Sequence, residues 1–292
     1  MKQIYLVVFL TTAFLTTFSQ ETQTEPVAKK NRRFHAGVSY NWLSNDMKLA
    51  SLSLHSLLNG GDLGTIDLTD DAIDNINSYA DRSNKANNVN FEFGMSFINQ
   101  PQSKWRVDGT LMLGLSLSKW SVYNHNTEKE EYCFKSGTAE PTFGLRVNVG
   151  YFFTSHWGVT LQPMFVTMAG KLTEIDDNIN PVPADCSQSG EVKYWSGYSR
   201  ISLLGNYKAG NFTFYAGPGF HFMGSYHKYR IERLYNSNGD LFVDEITTHT
   251  YSPSVIDGTV GINWQISDLF SFNAISGLGS DFYVNAGFYV RF

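Results

Sequence analysis

Asp281-Phe-Tyr-Val-Asn-Ala-Gly-Phe-Tyr-Val-Arg-Phe292 alternates apolar and polar or small side chains. Phe282, Val284, Ala286, Phe288, Val290 and Phe292 share one face of an extended strand; Tyr283, Asn285, Gly287, Tyr289 and Arg291 share the other. Successive side chains of a strand point to opposite faces, so a period of two marks a strand whose faces meet different media. The pattern recurs upstream. Trp105, Val107, Leu111, Leu113, Leu115 and Leu117 stand against Arg106, Asp108, Thr110, Gly114, Ser116 and Ser118. Phe143, Leu145, Val147, Val149, Tyr151 and Phe153 stand against Gly144, Arg146, Asn148 and Gly150.

Ten such segments can be read: 33–43, 88–98, 105–119, 141–153, 157–169, 194–207, 212–223, 254–266, 269–276 and 281–292. The phase of 194–207 is disturbed by adjacent Leu203 and Leu204, and an eight-strand alternative omits 33–43 and 269–276. The connections 44–87, 121–140, 170–192 and 225–252 are long, whereas 99–104, 154–156, 208–211 and 267–268 are short; 277–280 is short where a long one is due. Within the first long connection, Leu68–Ala80 has helical spacing with Thr69 or Asp70 as its cap. Ser237-Asn-Gly-Asp240 reads as a hairpin tip. Short turns on one side and long loops on the other describe a transmembrane antiparallel up-and-down β-barrel with periplasmic termini. A soluble barrel also alternates, but it has no reason to lengthen every second connection. Nor would it set Trp42, Trp105, Tyr151, Trp157, Tyr207, Trp264 and Phe292 at strand ends, where a membrane interface would lie.

Bulk properties agree. Aromatic residues make up 15% of the chain and charged residues only 17%, yet after the first residues no apolar run approaches the roughly 18 needed for a membrane helix. Strands that meet lipid on one face need only alternate apolar residues. A net charge of -5 gives no reason to expect nucleic acid. Met1-Lys2, an apolar run from Ile4 to Leu15 and Thr17-Phe-Ser-Gln20 read as a secretory leader, with cleavage after Ser19 or Gln20. The expected organisation is a leader at 1–19, a periplasmic linker at 20–32 and a barrel domain at 33–292. The basic run Lys29–Arg33 falls just before the first strand, as a solvated approach to it.

At the end of the chain, Asn285, Gly287, Val290 and Phe292 resemble the C-terminal signal read by the outer-membrane barrel assembly machinery. The second half resembles the outer membrane protein beta-barrel domain family, the PorT-type small barrels of Gram-negative envelopes. The resemblance lies in Ile201-Ser-Leu-Leu-Gly-Asn-Tyr207, Phe214-Tyr-Ala-Gly-Pro-Gly-Phe220, Gly258-Thr-Val-Gly-Ile-Asn-Trp264, Gly277-Leu278 and the terminal strand. Ser202 and Asn206 replace the family's usual proline and lysine, and Asn273-Ala274 stands where an arginine-tyrosine pair is usual. The resemblance covers 141–292 and implies an outer-membrane barrel, with no catalytic residues to carry over.

If the apolar faces meet lipid, the opposite faces line a lumen holding Glu92, Arg106, Asp108, Arg146, Gln162, Arg200, His221, Asp257, Asn263, Asn285 and Arg291. A barrel of eight to ten strands is narrow enough for side chains to fill. The expectation is an internal ion-pair network in place of a hydrophobic core. The alternative is a narrow channel for small solutes with Arg146 and Arg200 at its constriction. Cys133 and Cys186 fall in two long loops on one side, where an exported protein would pair them as a disulfide. Seven aspartates in the first long loop (Asp46, Asp62, Asp67, Asp70, Asp71, Asp74 and Asp81) follow no EF-hand spacing. Neither metal nor cofactor is expected. Some ten-stranded outer-membrane barrels are proteases or lipid-modifying enzymes, but His125, His227 and His249 stand in no compact catalytic motif. The leading expectation is a non-catalytic envelope barrel in contact with outer-membrane lipid, serving as a surface protein or a subunit of an envelope assembly. Tyr226, Tyr229, Tyr235 and Asn238 would suit contacts made through its loops.

Overall fold

The computed structural model describes residues 33–98, 103–172, 174–177, 186–252, 255–279 and 282–292. The expected leader, the linker and most of the turn at 99–104 lie outside the described residues. The elements are β1 (Phe34–Leu58), β2 (Gly61–Asp67), α1 (Asp70–Tyr79), β3 (Ala80–Ile98), β4 (Trp105–Asn124), β5 (Lys129–Lys135), β6 (Glu140–Phe152) and β7 (Trp157–Leu172). They continue with β8 (Glu174–Asp177), β9 (Cys186–Ala209), β10 (Phe212–Tyr235), β11 (Leu241–Tyr251), β12 (Val255–Gln265), β13 (Phe270–Leu278) and β14 (Phe282–Arg291).

All fourteen strands belong to one sheet. Antiparallel ladders join β1 to β3, β3 to β4, β4 to β6, β6 to β7 and β7 to β9. They run on from β9 to β10, β12, β13 and β14. The ladder from β14 back to β1, His35 opposite Arg291 through Ser44 opposite Phe282, closes the circuit after ten members. The short turns gather at one end of this barrel, beside the paired backbones of Phe34 and Phe292 (3.1 and 2.9 Å). Leu204 points inward and is buried while Leu203 is exposed, so the disturbed phase of that strand is ordinary alternation between two leucines.

The long connections are not loops, which corrects the sequence reading. β1 runs to Leu58 rather than Leu43, β3 starts at Ala80 rather than Asn88, β9 starts at Cys186 and β10 runs to Tyr235. An Asn59-Gly60 turn, both residues with positive φ (49° and 81°), folds β2 back on β1. This is the pair that a two-residue hairpin requires. α1 takes Thr69 as its cap, the Thr69 hydroxyl accepting from the Ala72 amide, with Asp70 and Asp71 in its positive first turn. β11 pairs with β10 from Gly224 upward and with β1 from Lys48 upward. It therefore occupies, in the upper barrel, the place that β12, β13 and β14 hold below.

The two levels have opposite polarity. Below, the outward face is apolar and exposed: Phe91, Phe93, Leu113, Leu115, Leu145, Leu203, Phe214 and Phe220 all lie on it. Its lower margin carries outward aromatic pairs, with ring centroids at 6.3 Å (Phe34–Phe292), 5.0 Å (Trp105–Tyr151), 4.6 Å (Trp157–Tyr207) and 5.7 Å (Phe212–Trp264). Trp42, Phe282 and Trp195 mark the upper margin. Above it the outward positions turn polar, with ion pairs Lys228–Glu245 (2.8 Å) and Lys171–Glu191 (3.1 Å). There the inside becomes apolar: Met47, Leu49, Trp120, Phe134, Leu172, Val192, Tyr194 and Met223 are buried. An interior composed only of ion pairs is thus also corrected.

His227 sits in this upper core, 1% exposed, edge-on to Trp120 at 4.1 Å and near the rings of Tyr194 and Tyr229. Neither of its ring nitrogens has a hydrogen-bond partner among the described residues. Burial, with a smaller push from His249, holds its imidazole down to about 3. An unfolded imidazole takes its proton near 6.5, so between those values the unfolded chain binds more protons. This contribution to stability is complete above pH 6.5 and is lost as pH falls toward 3. A His227→Phe variant is expected to lose less stability than the parent between pH 7 and pH 4. The difference in slope, at most about 1.4 kcal/mol per pH unit, would be read from denaturation midpoints in micelles.

Candidate functional site: the charged interior of the barrel

All seven charged residues assigned to the lumen lie on inward-facing strand positions. Glu92, Arg146, Arg200 and Asp257 are buried, whereas Arg106, Asp108 and Arg291 are half-buried toward the short-turn end. The buried four form two separate pairs rather than one network.

In the first pair, Arg146 Nη2 lies 2.6 Å from Glu92 Oε2, joining β6 to β3 across the intervening β4. Ser39 donates to Glu92 Oε1 at 2.5 Å and Tyr289 to Oε2 at 3.0 Å. Arg146 also donates to Asn285 Oδ1 at 3.4 Å, and Asn285 in turn donates to Asn41. Asn285 of the proposed assembly signal is thus also a lumen residue. Gly287 lies inward beside Tyr289, while Val290 and Phe292 belong to the apolar face.

In the second pair, Arg200 grips Asp257 with both terminal nitrogens, at 2.9 and 2.5 Å. The same guanidinium donates to Thr259 (2.8 Å), Ser202 (3.2 Å) and Tyr198 (3.2 Å), and lies 5.7 Å over the Tyr283 ring. His221 Nδ1 stands 3.2 Å from the Asp257 carboxylate. Two glycines make room for it. A Cβ on Gly277 would meet the Arg200 guanidinium at 2.8 Å, and one on Gly219 would overlap it. Bidentate pairing fixes the planar guanidinium as well as its charge.

At the short-turn end Ser96 donates to Asp108 at 2.5 Å, and Gln162 donates to Asn148 at 2.7 Å. Higher up, Glu140 accepts from the Lys171 amide (2.5 Å) and from the Tyr194 hydroxyl, whose oxygen also lies 2.9 Å from that of Ser118. Neither Glu140 nor the inward tyrosines Tyr194, Tyr198, Tyr283 and Tyr289 were singled out from the sequence as lumen residues. Their parity on the strands was the available signal. Between the pairs lie Met112, Met164, Leu204 and Ile275, all buried, so the interior is filled by side chains.

The remaining sequence candidates are scattered. His125 pairs with Asp81 at 3.0 Å on the outside, both side chains well exposed, while the His249 ring lies 5.0 Å from that of Tyr226, tilted by 57°, and His227 is inside. Tyr229 packs against the upper core and is not an open contact residue. Cys133 is buried on β5, opposite Asp176 of β8, so the second and third connections meet through a ladder. The Cys186 side chain lies outside the described residues. Among the described residues no three His, Cys, Asp or Glu converge as metal ligands.

No family model matches the chain, and no curated protein matches it. Solved structures do align with it. The outer membrane protease OmpT of Escherichia coli aligns over 92% of this chain and 100% of its own, at 9% identity and a TM-score of 0.41. The translocator domain of the autotransporter NalP of Neisseria meningitidis aligns over 100% and 98%, at 8% identity and a TM-score of 0.41. The toluene transporter TodX of Pseudomonas putida aligns over 90% of each chain, at 12% identity and a TM-score of 0.35. Likenesses this loose carry no argument, and the barrel rests on its own ladders.

Breaking a buried ion pair leaves an uncompensated charge and costs about 3–5 kcal/mol, whereas an exposed pair is worth about 0–1 kcal/mol. Asp257→Ala is therefore expected to lower the stability of the folded barrel by several kcal/mol. Arg200→Met combined with Asp257→Leu should restore much of the loss, and Arg230→Met, in the exposed pair with Glu232, should have little effect. Denaturation midpoints of the four proteins in one detergent measure this.

Proposed function

We propose that this chain is a non-catalytic outer-membrane barrel of a Gram-negative envelope. Its interior is closed by packing, and it acts through the part above the apolar band, as a surface protein or a subunit of an envelope assembly. The observation that carries the reading is the reversal of polarity along the strands. A cylinder apolar outside and polar inside suits hydrocarbon, and one polar outside and apolar inside suits water. The lower band, bounded by aromatic pairs, has about the 9–11 residues per strand that a tilted crossing requires. In this reading the short-turn end, with Phe34 and Phe292, faces the periplasm, and Asn285, Gly287, Val290 and Phe292 engage the assembly machinery. Ile201–Tyr207, Phe214–Phe220 and Gly258–Trp264 favour the PorT-type group within this class.

The upper barrel supports a contact role. β2 pairs, among the described residues, with β1 and is exposed throughout, with Leu63 and Ile66 in the open. An edge strand with free backbone groups and exposed apolar side chains is a surface on which another chain can add a strand. The channel alternative is disfavoured because Arg146 and Arg200, its supposed constriction, are each held by a buried carboxylate within a packed interior.

Reconstituted in a planar bilayer, the barrel is expected to show no unitary conductance. Steady current steps whose ion selectivity changed with Arg146→Ala or Arg200→Ala would replace this reading by the channel. The reading also keeps Cys133 and Cys186 as a disulfide on the outer side. A maleimide reagent should modify neither cysteine in the denatured, unreduced protein and both after reduction; labelling of both without reductant would remove the bridge.

A further inference from the structure

Above the apolar band β10, β11, β1 and β2 form one antiparallel sheet, because Ser53–Leu58 of β1 pairs with β11 on one side and with β2 on the other. Among the described residues β2 is the last strand of this sheet. The turn that carries it is fastened to the neighbouring hairpin tip. The Asn59 amide donates to the Leu241 carbonyl, the Leu241 amide to Asn59 Oδ1, and Asn59 Nδ2 to Asp240 Oδ1, each at 2.8 Å. Lower down, the Asn77 side chain of α1 closes the edge of β1. It accepts from the Leu49 amide and donates to the Leu49 carbonyl, both at 2.9 Å. The chain thus covers one sheet edge with a side-chain amide and ends the next on β2, which is exposed along its whole length.

Two chemical features mark this edge. Leu63 and Ile66 are 59% and 63% exposed, well above the apolar band. Around them the chain is acidic, with six aspartates and no Lys, Arg or His from Gly61 to Asp81. Asp62 and Asp67 lie on β2 itself and Asp70, Asp71 and Asp74 on α1, all five exposed. Asp70 and Asp71 also serve the first turn of α1, and Asp62 accepts from the Gly64 amide at 2.7 Å and lies 3.8 Å from His55 Nδ1. A strand edge offers backbone hydrogen bonds to any extended chain, and the side chains beside it decide which chain is accepted. A second copy of this chain would set β2 against β2 and aspartates against aspartates, and like charges across a ladder destabilise it. A segment of opposite charge gains where that copy loses.

We propose that β2 is the docking edge for an extended, basic segment of another protein, which joins the sheet as a further strand. Apolar side chains of that segment cover Leu63 and Ile66. Its lysines or arginines meet Asp62 and Asp67 and, past the end of the strand, Asp70 and Asp71. The inference rests on the reading that the part above the apolar band acts by contact, and it names the chemistry of the partner. Backbone pairing supplies affinity, the fastened turn lowers the cost of ordering the edge, and the aspartates set the sign of the partner.

The test uses the full chain in a non-ionic detergent and short labelled peptides, with binding read by fluorescence anisotropy. One peptide alternates lysine and valine, another alternates glutamate and valine, and a third is the first with its backbone nitrogens methylated. The lysine–valine peptide is expected to bind at least about tenfold more tightly than either of the others. Leu63→Ser with Ile66→Ser, and separately Asp62→Asn with Asp67→Asn, should each weaken its binding by about fivefold or more. Glu191→Gln with Glu232→Gln, which removes two acids from β9 and β10 instead, should leave it within about twofold of the parent. The substituted β2 side chains are exposed, so both β2 variants should keep the parent's denaturation midpoint, which separates lost docking from misfolding. Equal binding of the lysine and glutamate peptides would overturn the proposal. Unchanged affinity in either β2 variant, or undiminished binding of the methylated peptide, would overturn it too. A barrel that shows no unitary conductance and binds none of the peptides sinks this inference alone. Current steps that change with Arg146→Ala sink the proposed function itself, whichever peptide binds.

Discussion

The ladder between β14 and β1 is the constraint on which the rest depends. Without it the ten-stranded circuit would be an open sheet with two long edges, each a row of unpaired N–H and C=O groups. In water such edges recruit other strands, and in hydrocarbon each unsatisfied group costs several kcal/mol. His35–Ser44 against Phe282–Arg291 removes both edges at once. Closure also creates an inside. Once the strands form a cylinder of about this size, every second residue is confined to a space that side chains must fill, and any charge placed there needs a partner within reach. Glu92 with Arg146 and Arg200 with Asp257 are consequences of closure, since an open sheet would leave the same residues in solvent.

Strand parity then passes through the apolar band without a break, and the medium outside changes around it. On β1 the outward residues run from Phe34, Val38 and Tyr40 to Asp46 and Lys48, while the inward ones run from Ser39 and Asn41 to Met47 and Leu49. The chain keeps its geometry and exchanges the chemistry of its two faces. β11 makes this economical: one strand bridges β10 and β1 where three bridge them below. The upper part is narrower and closes over a core of methionine and aromatic side chains. On the proposed membrane reading, its stability depends on water outside and that of the lower part on lipid outside.

The same exchange explains what was legible in the sequence. Where the outward face is apolar, the alternation of Trp105–Leu117 or Phe282–Phe292 identifies the strand and its faces. Where the outward face is polar and the inward one mixed, as in Asn84-Lys-Ala-Asn-Asn88 or Ser187–Lys193, the contrast fades and the strand reads as a loop. Asn59-Gly60 was the overlooked local signal, because its turn chemistry specifies a hairpin whatever the hydropathy around it. Lumen residues could be assigned to a face but not to a partner. Arg146 meets Glu92 across an intervening strand, and that pairing follows from the curvature of the barrel and its shear, neither of which any single strand encodes. The glycines that admit Arg200, Gly219 and Gly277, were likewise unreadable until the guanidinium had a position.

The distribution of charge separates structural from recognition surfaces. The four buried lumen charges are consumed in pairs with several hydrogen bonds each, so they fix the positions of β3, β6, β9 and β12 around the ring and offer little to a passing solute. The outward lysine rows stand on the other face of the strands. Register sets Lys85, Lys119 and Lys135 opposite one another on three successive strands. A barrel whose interior is committed to packing has its rims and its upper walls left for recognition. On these walls the side chains are open.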